Sequence, residues 1–133
     1  MGAAGAMGQL RSVLRSYAWE GHGPAGVLDR LNQLVCGLGM AKLATCVYAR
    51  LEPGRDAQPT QLHWANAGHP PPLLRTPDGS VHSLTDAASI LIGVPSGPPA
   101  MHQRPSASRE MPPGSVLLLY TDGLIEDLSL IHI

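Results

Sequence analysis

The chain has 133 residues, of which 44% are hydrophobic and 14% are charged, so it is long enough for one globular domain and is not a disordered chain. Nine basic and ten acidic side chains give a net charge of -1, and Lys42 is the single lysine, which argues against a nucleic-acid partner. The sequence has no apolar run as long as a membrane span and no charged N-terminal leader, which predicts a soluble, cytoplasmic protein.

Two amphipathic helices are predicted at the start of the chain. From Met7 the apolar residues recur at helical spacing until the Gly-His-Gly of residues 21–23 breaks the pattern. Pro24 is well placed as the first residue of a second helix, which Gly37 and Gly39 end. Each helix has one apolar face, so both need an apolar partner.

The rest of the chain is predicted to form strands joined by turns. Residues 43–51 and 61–67 contain β-branched and aromatic residues and predict a hairpin with a long loop. Shorter strands are predicted near residues 81–84 and 108–111. The Pro-, Ser-, Gly- and Ala-rich residues 85–108, with one apolar patch at residues 90–94, are predicted to be mostly surface loop. Two helices followed by a run of strands predict an α+β fold with an antiparallel sheet.

Residues 116–126 (VLLLYTDGLIE) contain the leading candidate for a functional residue. The apolar run stops at Thr121 and Asp122, which predicts a strand buried on both faces that ends in a carboxylate. A carboxylate held by a packed strand is a suitable ligand for a hard cation such as Mg²⁺ or Mn²⁺, so Asp122 is the candidate metal ligand. Glu126 would lie on the same side if a helix begins at Gly123. The alternatives are an Asp-Gly turn without a ligand and an acidic residue favoured by a helix N-terminus.

His69, in the Ala-Gly-His-Pro-Pro of residues 67–71, is the second candidate. A histidine in a tight turn can bind a metal ion, act as a general acid or hold the loop by hydrogen bonding. No partner lies at metal-ligand spacing, which favours the loop-holding role. Cys36 and Cys46 are isolated in apolar surroundings and are predicted to be reduced core cysteines.

Four segments, taken in order, resemble a single family. They are residues 44–49 (ATCVYA), 64–74 (WANAGHPPPLL), 92–94 (IGV) and 113–126 (PGSVLLLYTDGLIE). Together they are similar to the metal-dependent protein serine/threonine phosphatases of the PPM class, in the bacterial SpoIIE-like branch. The resemblance covers nearly the whole chain up to Asp127.

This resemblance implies two antiparallel sheets packed face to face with helices outside, here as a partial α-β-β-α sandwich with two N-terminal helices. It implies a cluster of Mg²⁺ or Mn²⁺ ions, two or more in the complete domain, and hydrolysis of phosphoserine or phosphothreonine by a metal-activated water. The expected substrate is a phosphoprotein of bacterial signalling, such as a phosphorylated anti-sigma-factor antagonist. Asp122 matches the metal-binding aspartate of the family's TDG motif, whereas no catalytic role is transferred to His69.

The chain also departs from the family pattern. The early acidic segments of the family, an aspartate and an Asp-Val-x-Gly-His-Gly, would precede the first helix and are absent, and residues 21–23 only imitate the end of the second. Residues 128–133 match the translation of a sequencing adapter and are predicted to be non-native. The sequence therefore predicts that residues 1–127 are a fragment of a phosphatase domain, truncated at both ends and inactive alone. A non-catalytic phosphatase-like binding module and an unrelated α+β domain are the alternatives.

Overall fold

Two helices open the computed structural model, which describes residues 3–40, 43–95 and 104–121. Helix α1 comprises Ala3–Trp19 and helix α2 comprises Pro24–Gly37. Pro24 lies in the first turn of α2, where its missing N–H removes no intrahelical hydrogen bond. Both predicted helices are confirmed, and neither is long and apolar enough to cross a membrane.

Seven strands follow in the described part of the chain: β1 Cys46–Glu52, β2 Thr60–Ala67, β3 Leu73–Arg75, β4 Val81–Ser83, β5 Ala88–Ser89, β6 Ala107–Met111 and β7 Val116–Leu118. The predicted hairpin is confirmed, because β1 and β2 pair antiparallel with Cys46 opposite Ala67. On its other side β2 pairs antiparallel with β6 and, over a short stretch, parallel with β5. A second, antiparallel sheet has the strand order β4-β3-β7. The short parallel pairing is the one departure from the expected antiparallel sheets among the described strands.

Strand β2 faces two hydrophobic cores. Leu62 and Trp64 project toward the second sheet and pack with Leu74. Ala65 and Ala67 project from the opposite face of β2 and belong to the core formed with the helices. Because successive side chains of a strand point to opposite faces, one strand serves both cores. The layers therefore run helices, first sheet, second sheet, which confirms the α+β sandwich.

The prediction that the apolar run at β7 is buried on both faces is wrong for the residues described. Val116 is 48% exposed and Leu118 is 47% exposed, while Leu117 packs in the core between the sheets. Among the described strands β7 is an edge strand that pairs with β3 alone. An apolar run shows that a strand can be covered, but it does not show that both faces are.

The stretch predicted as mostly surface loop, residues 85–108, contributes two fully buried side chains. Ala87 joins the core between the sheets, and Ile92 joins the core beneath the helices. Ile92 also exchanges two backbone hydrogen bonds with Ala44, of 2.9 and 3.0 Å. The apolar patch at residues 90–94 is too short to show a period, so the pattern did not indicate which of its side chains is buried.

The two cysteines are free and partly buried, as predicted. Burial raises the pKa of the Cys46 thiol to about 11, and the positive charge of Arg104 partly opposes this shift. Desolvation disfavours the thiolate, and only the thiolate is a good nucleophile. Cys46 is therefore chemically unreactive near neutral pH.

We expect Cys46 to be alkylated slowly by iodoacetamide in the folded protein at pH 8. With a pKa of about 11, only about one thiol in a thousand is ionised at that pH. Peptide mass spectrometry of native and urea-unfolded samples measures the rate, and a Cys36→Ala variant reports Cys46 alone. Alkylation of Cys46 as fast in native buffer as in urea would contradict this expectation.

Candidate functional site

The turn after β2 is shaped by a glycine. Gly68 has a φ of +66°, a left-handed conformation that side chains with a Cβ rarely adopt. A Cβ at this position would lie 2.3 Å from Cδ2 of Leu91. The amide of Gly68 donates to the carbonyl of Ser89 at 2.9 Å, which ties the turn to β5. Gly68 therefore allows the chain to turn tightly enough to bring His69 back over the end of the sheet.

The buried amide of Asn66 holds the backbone of His69 on both sides. Asn66 is 2% exposed. Its Oδ1 accepts from the backbone N–H of His69 at 2.8 Å, and its Nδ2 donates to the carbonyl of His69 at 2.8 Å. A backbone N–H can only donate and a carbonyl can only accept, so the orientation of the amide is determined. Because Asn66 fixes the backbone of His69, it also fixes the direction in which the His69 ring leaves the turn.

Both ring nitrogens of His69 have hydrogen-bond partners. Nε2 lies 2.8 Å from the carbonyl oxygen of Tyr120, and Nδ1 lies 2.9 Å from Oγ1 of Thr45. Since the carbonyl can only accept, Nε2 carries a proton, and in the singly protonated ring Nδ1 accepts from the Thr45 hydroxyl. These contacts agree with the loop-holding role that the sequence favoured, and they leave neither nitrogen available to bind a metal ion.

Two hydrogen bonds and an ion pair link this turn to helix α2. Oγ of Ser89 donates to the carbonyl of Asn66 at 2.7 Å, and Nη1 of Arg104 donates to that Oγ at 2.8 Å. The Arg104 side chain is 6% exposed, and its Nε lies 3.3 Å from Oδ1 of Asp29 on α2. Sequence reasoning missed Arg104 because it stands alone in a proline- and serine-rich stretch, with no local pattern that indicates its partners.

Two other described histidines are hydrogen-bonded at the surface. Nδ1 of His63 lies 2.7 Å from Oγ of Ser108, and Nε2 of the same ring lies 2.9 Å from Oε2 of Glu52. His22, in the connection between the helices, has its Nε2 3.1 Å from Oε2 of Glu20. Both are hydrogen-bonded histidines of the kind expected outside a functional site.

The candidate metal ligand Asp122 lies outside the described residues, as does Glu126. In residues 3–40, 43–95 and 104–121 no three His, Cys, Asp or Glu side chains converge in a way that could hold a metal ion. The described side chains therefore do not by themselves fit the Mg²⁺ or Mn²⁺ that the resemblance implies. The structure does describe the backbone as far as Thr121. This backbone is held at Tyr120 by the hydrogen bond from His69.

We expect Gly68→Ala to destabilise the protein by about 1–3 kcal/mol, since it combines an unfavourable φ with a clash against Leu91. Gly79→Ala is the matched control: Gly79 also has a positive φ, of +88°, but nothing lies within 4 Å of an added Cβ. Urea denaturation of both variants measures the free energy of unfolding. Equal losses at the two positions would show that the contact with Leu91 does not matter.

Comparison with known proteins identifies the family. The family model described as Stage II sporulation protein E (SpoIIE) matches residues 1–131. The crystal structure of the RsbU and RsbW domains of Rv1364c from Mycobacterium tuberculosis is similar, with a TM-score of 0.75 and 32% sequence identity. The match covers 93% of this chain and 33% of that chain, so this chain spans about a third of its relative. The chain thus belongs to the SpoIIE family of metal-dependent serine/threonine phosphatases, as the order of its sequence segments predicted.

Proposed function

We propose that the chain is part of a phosphoprotein phosphatase that hydrolyses phosphoserine or phosphothreonine in bacterial signalling. The observation that carries this proposal is the family match over residues 1–131, which includes the Thr-Asp-Gly that follows β7. Asp122 is the proposed metal ligand in this chain. Mg²⁺ or Mn²⁺, when bound in the complete domain, supplies hydroxide near neutral pH and screens the charge of the phosphoryl oxygens.

The proposed substrate is a phosphorylated anti-sigma-factor antagonist. The resemblance to the SpoIIE-like branch favours this class of substrate. The presence of RsbU and RsbW domains together in Rv1364c supports a signalling partner of the anti-sigma-factor kind. Such a partner works where transcription takes place, which supports a cytoplasmic location.

The rival function is a phosphatase-like module that binds a partner protein without turnover. The early acidic segments of the family discriminate the two: intact segments in a full-length parent favour the enzyme, and their replacement by residues that cannot bind a metal ion favours the module. Calorimetry with Mn²⁺ and a phosphatase assay on the full-length parent separate the two, since an enzyme binds the ion and turns over a phosphopeptide. The third alternative, an unrelated α+β domain, is wrong because the chain belongs to the SpoIIE family. The assignment of residues 128–133 to a non-native tail stays a prediction.

We expect the purified 133-residue chain to show no phosphatase activity with Mn²⁺, because one candidate carboxylate cannot assemble the site. Release of phosphate from a phosphoserine peptide measures this, with a buffer blank as the baseline and the full-length parent as the positive control. Turnover by the chain well above the blank would contradict the expectation.

In the full-length parent we expect Asp122→Asn to remove most of the activity. Loss of a ligand should cost more than the about 10- to 100-fold that is typical of a residue that only orients one. Asp56→Asn is the matched control, because it makes the same chemical change in an exposed loop at a φ of 57°, which asparagine tolerates. Steady-state kinetics on a phosphoserine peptide measures both variants, and wild-type kinetics for Asp122→Asn would refute the assignment.

A further inference from the structure

We propose that His69 is a positioning residue for the site that Asp122 belongs to. Its ring, whose Nε2–H donates to the carbonyl of Tyr120, determines where the backbone lies as the chain leaves β7. The effect on catalysis rests on the proposed function, whereas the hydrogen bond from His69 to Tyr120 does not.

The hydrogen bond to Tyr120 restrains the backbone just after the pairing between β7 and β3 ends. The register of β7 against β3 ends with Leu118 opposite Leu73. Two residues later the carbonyl of Tyr120 accepts the 2.8 Å bond from Nε2 of His69. Asp122 follows two residues after that. The ring of His69 is thus the described contact that restrains the backbone between the end of β7 and the candidate ligand.

His69 can restrain this backbone because its own position is anchored to the first sheet. Its main chain is clamped by the side chain of Asn66 on β2, and Nδ1 is held by Thr45, which directly precedes β1. The carbonyl that it holds belongs to the segment leaving β7, in the second sheet. The imidazole therefore connects the segment that precedes β1, in the first sheet, to the segment that follows β7, in the second sheet.

The joining of the two sheets does not depend on this contact. Leu62, Trp64 and Leu74 already pack them together in a core that His69 is not part of. Loss of the ring should therefore leave the fold intact and release the segment that follows β7. A displacement of about 1 Å at a reacting centre can cost about 100-fold in rate, so the effect should appear in turnover.

Kinetics of the full-length parent separates positioning from general stabilisation. We expect His69→Ala to lower kcat by about 10- to 100-fold while KM changes less than about threefold. His69→Gln places an amide N–H near the position of Nε2, so it should recover most of the lost kcat. His63→Ala is the matched control, because it also removes a ring with two hydrogen bonds, to Ser108 and Glu52, and should keep wild-type kcat.

Wild-type kcat in His69→Ala, or a glutamine variant as impaired as the alanine variant, would overturn the proposal. A second measurement needs neither activity nor a folded alanine variant. In ¹⁵N-histidine NMR of the wild-type parent, the signal missing from the His69→Gln spectrum should show a proton on Nε2 and none on Nδ1. The opposite tautomer would overturn the proposal. A parent without turnover would refute the proposed function alone, and the NMR spectrum would still decide whether His69 donates to Tyr120.

Discussion

The alternation of side chains along β2 is the constraint on which the rest of the structure depends. Leu62 and Trp64 are buried on one face of this strand, and Ala65 and Ala67 are buried on the other. Burial of each large apolar side chain contributes about 1.5–3 kcal/mol. A slip of one residue would move the large side chains to the face on which β2 places Ala65 and Ala67 against the helices. The register of β2 with β1 and β6 is therefore determined by packing on both faces at once.

The same register places a polar residue, Asn66, near the end of β2. Asn66 is buried on the face that carries Trp64, where an amide without partners would be strongly unfavourable. The turn supplies those partners from the backbone of His69. Gly68 permits the turn, and Ser89, which accepts from Arg104, donates to the carbonyl of Asn66. Packing in the core thus fixes the position of the Asn66 amide, and this amide orients the imidazole of His69 at the end of the sandwich.

How much of this the sequence can predict depends on the range of the interaction. Both helices and the hairpin were predictable because Pro24, Gly37 and the apolar periods are local signals. The Asp29–Arg104 contact and the two hydrogen bonds between the Asn32 side chain and the backbone of residues 93 and 94 join residues far apart in the chain, and no local pattern encodes them. The exposure of β7 was missed for a related reason, since a strand's composition does not reveal its neighbours.

For the candidate site, residue chemistry and the family resemblance pointed to Asp122, which lies outside the described residues. The turn pattern pointed to a loop-holding role for His69. Its two partners, Thr45 and Tyr120, could not be inferred, because they lie 24 and 51 residues away in the chain. Sequence therefore indicates which residues carry polar chemistry, whereas the three-dimensional fold decides which of them meet.

The exposure of β7 bears directly on how its end is kept in place. In the described residues the outer face of the second sheet presents Val81, Val116 and Leu118 to solvent, so packing from that side does not restrain the strand. What restrains it is the inward packing of Leu117, the pairing with β3 and the bond from His69. The packing and the pairing act on residues within β7, whereas the hydrogen bond from His69 acts on Tyr120, beyond the end of β7. The backbone at Tyr120 therefore depends most on the restraint nearest to it, and that restraint comes from a histidine anchored to the opposite sheet.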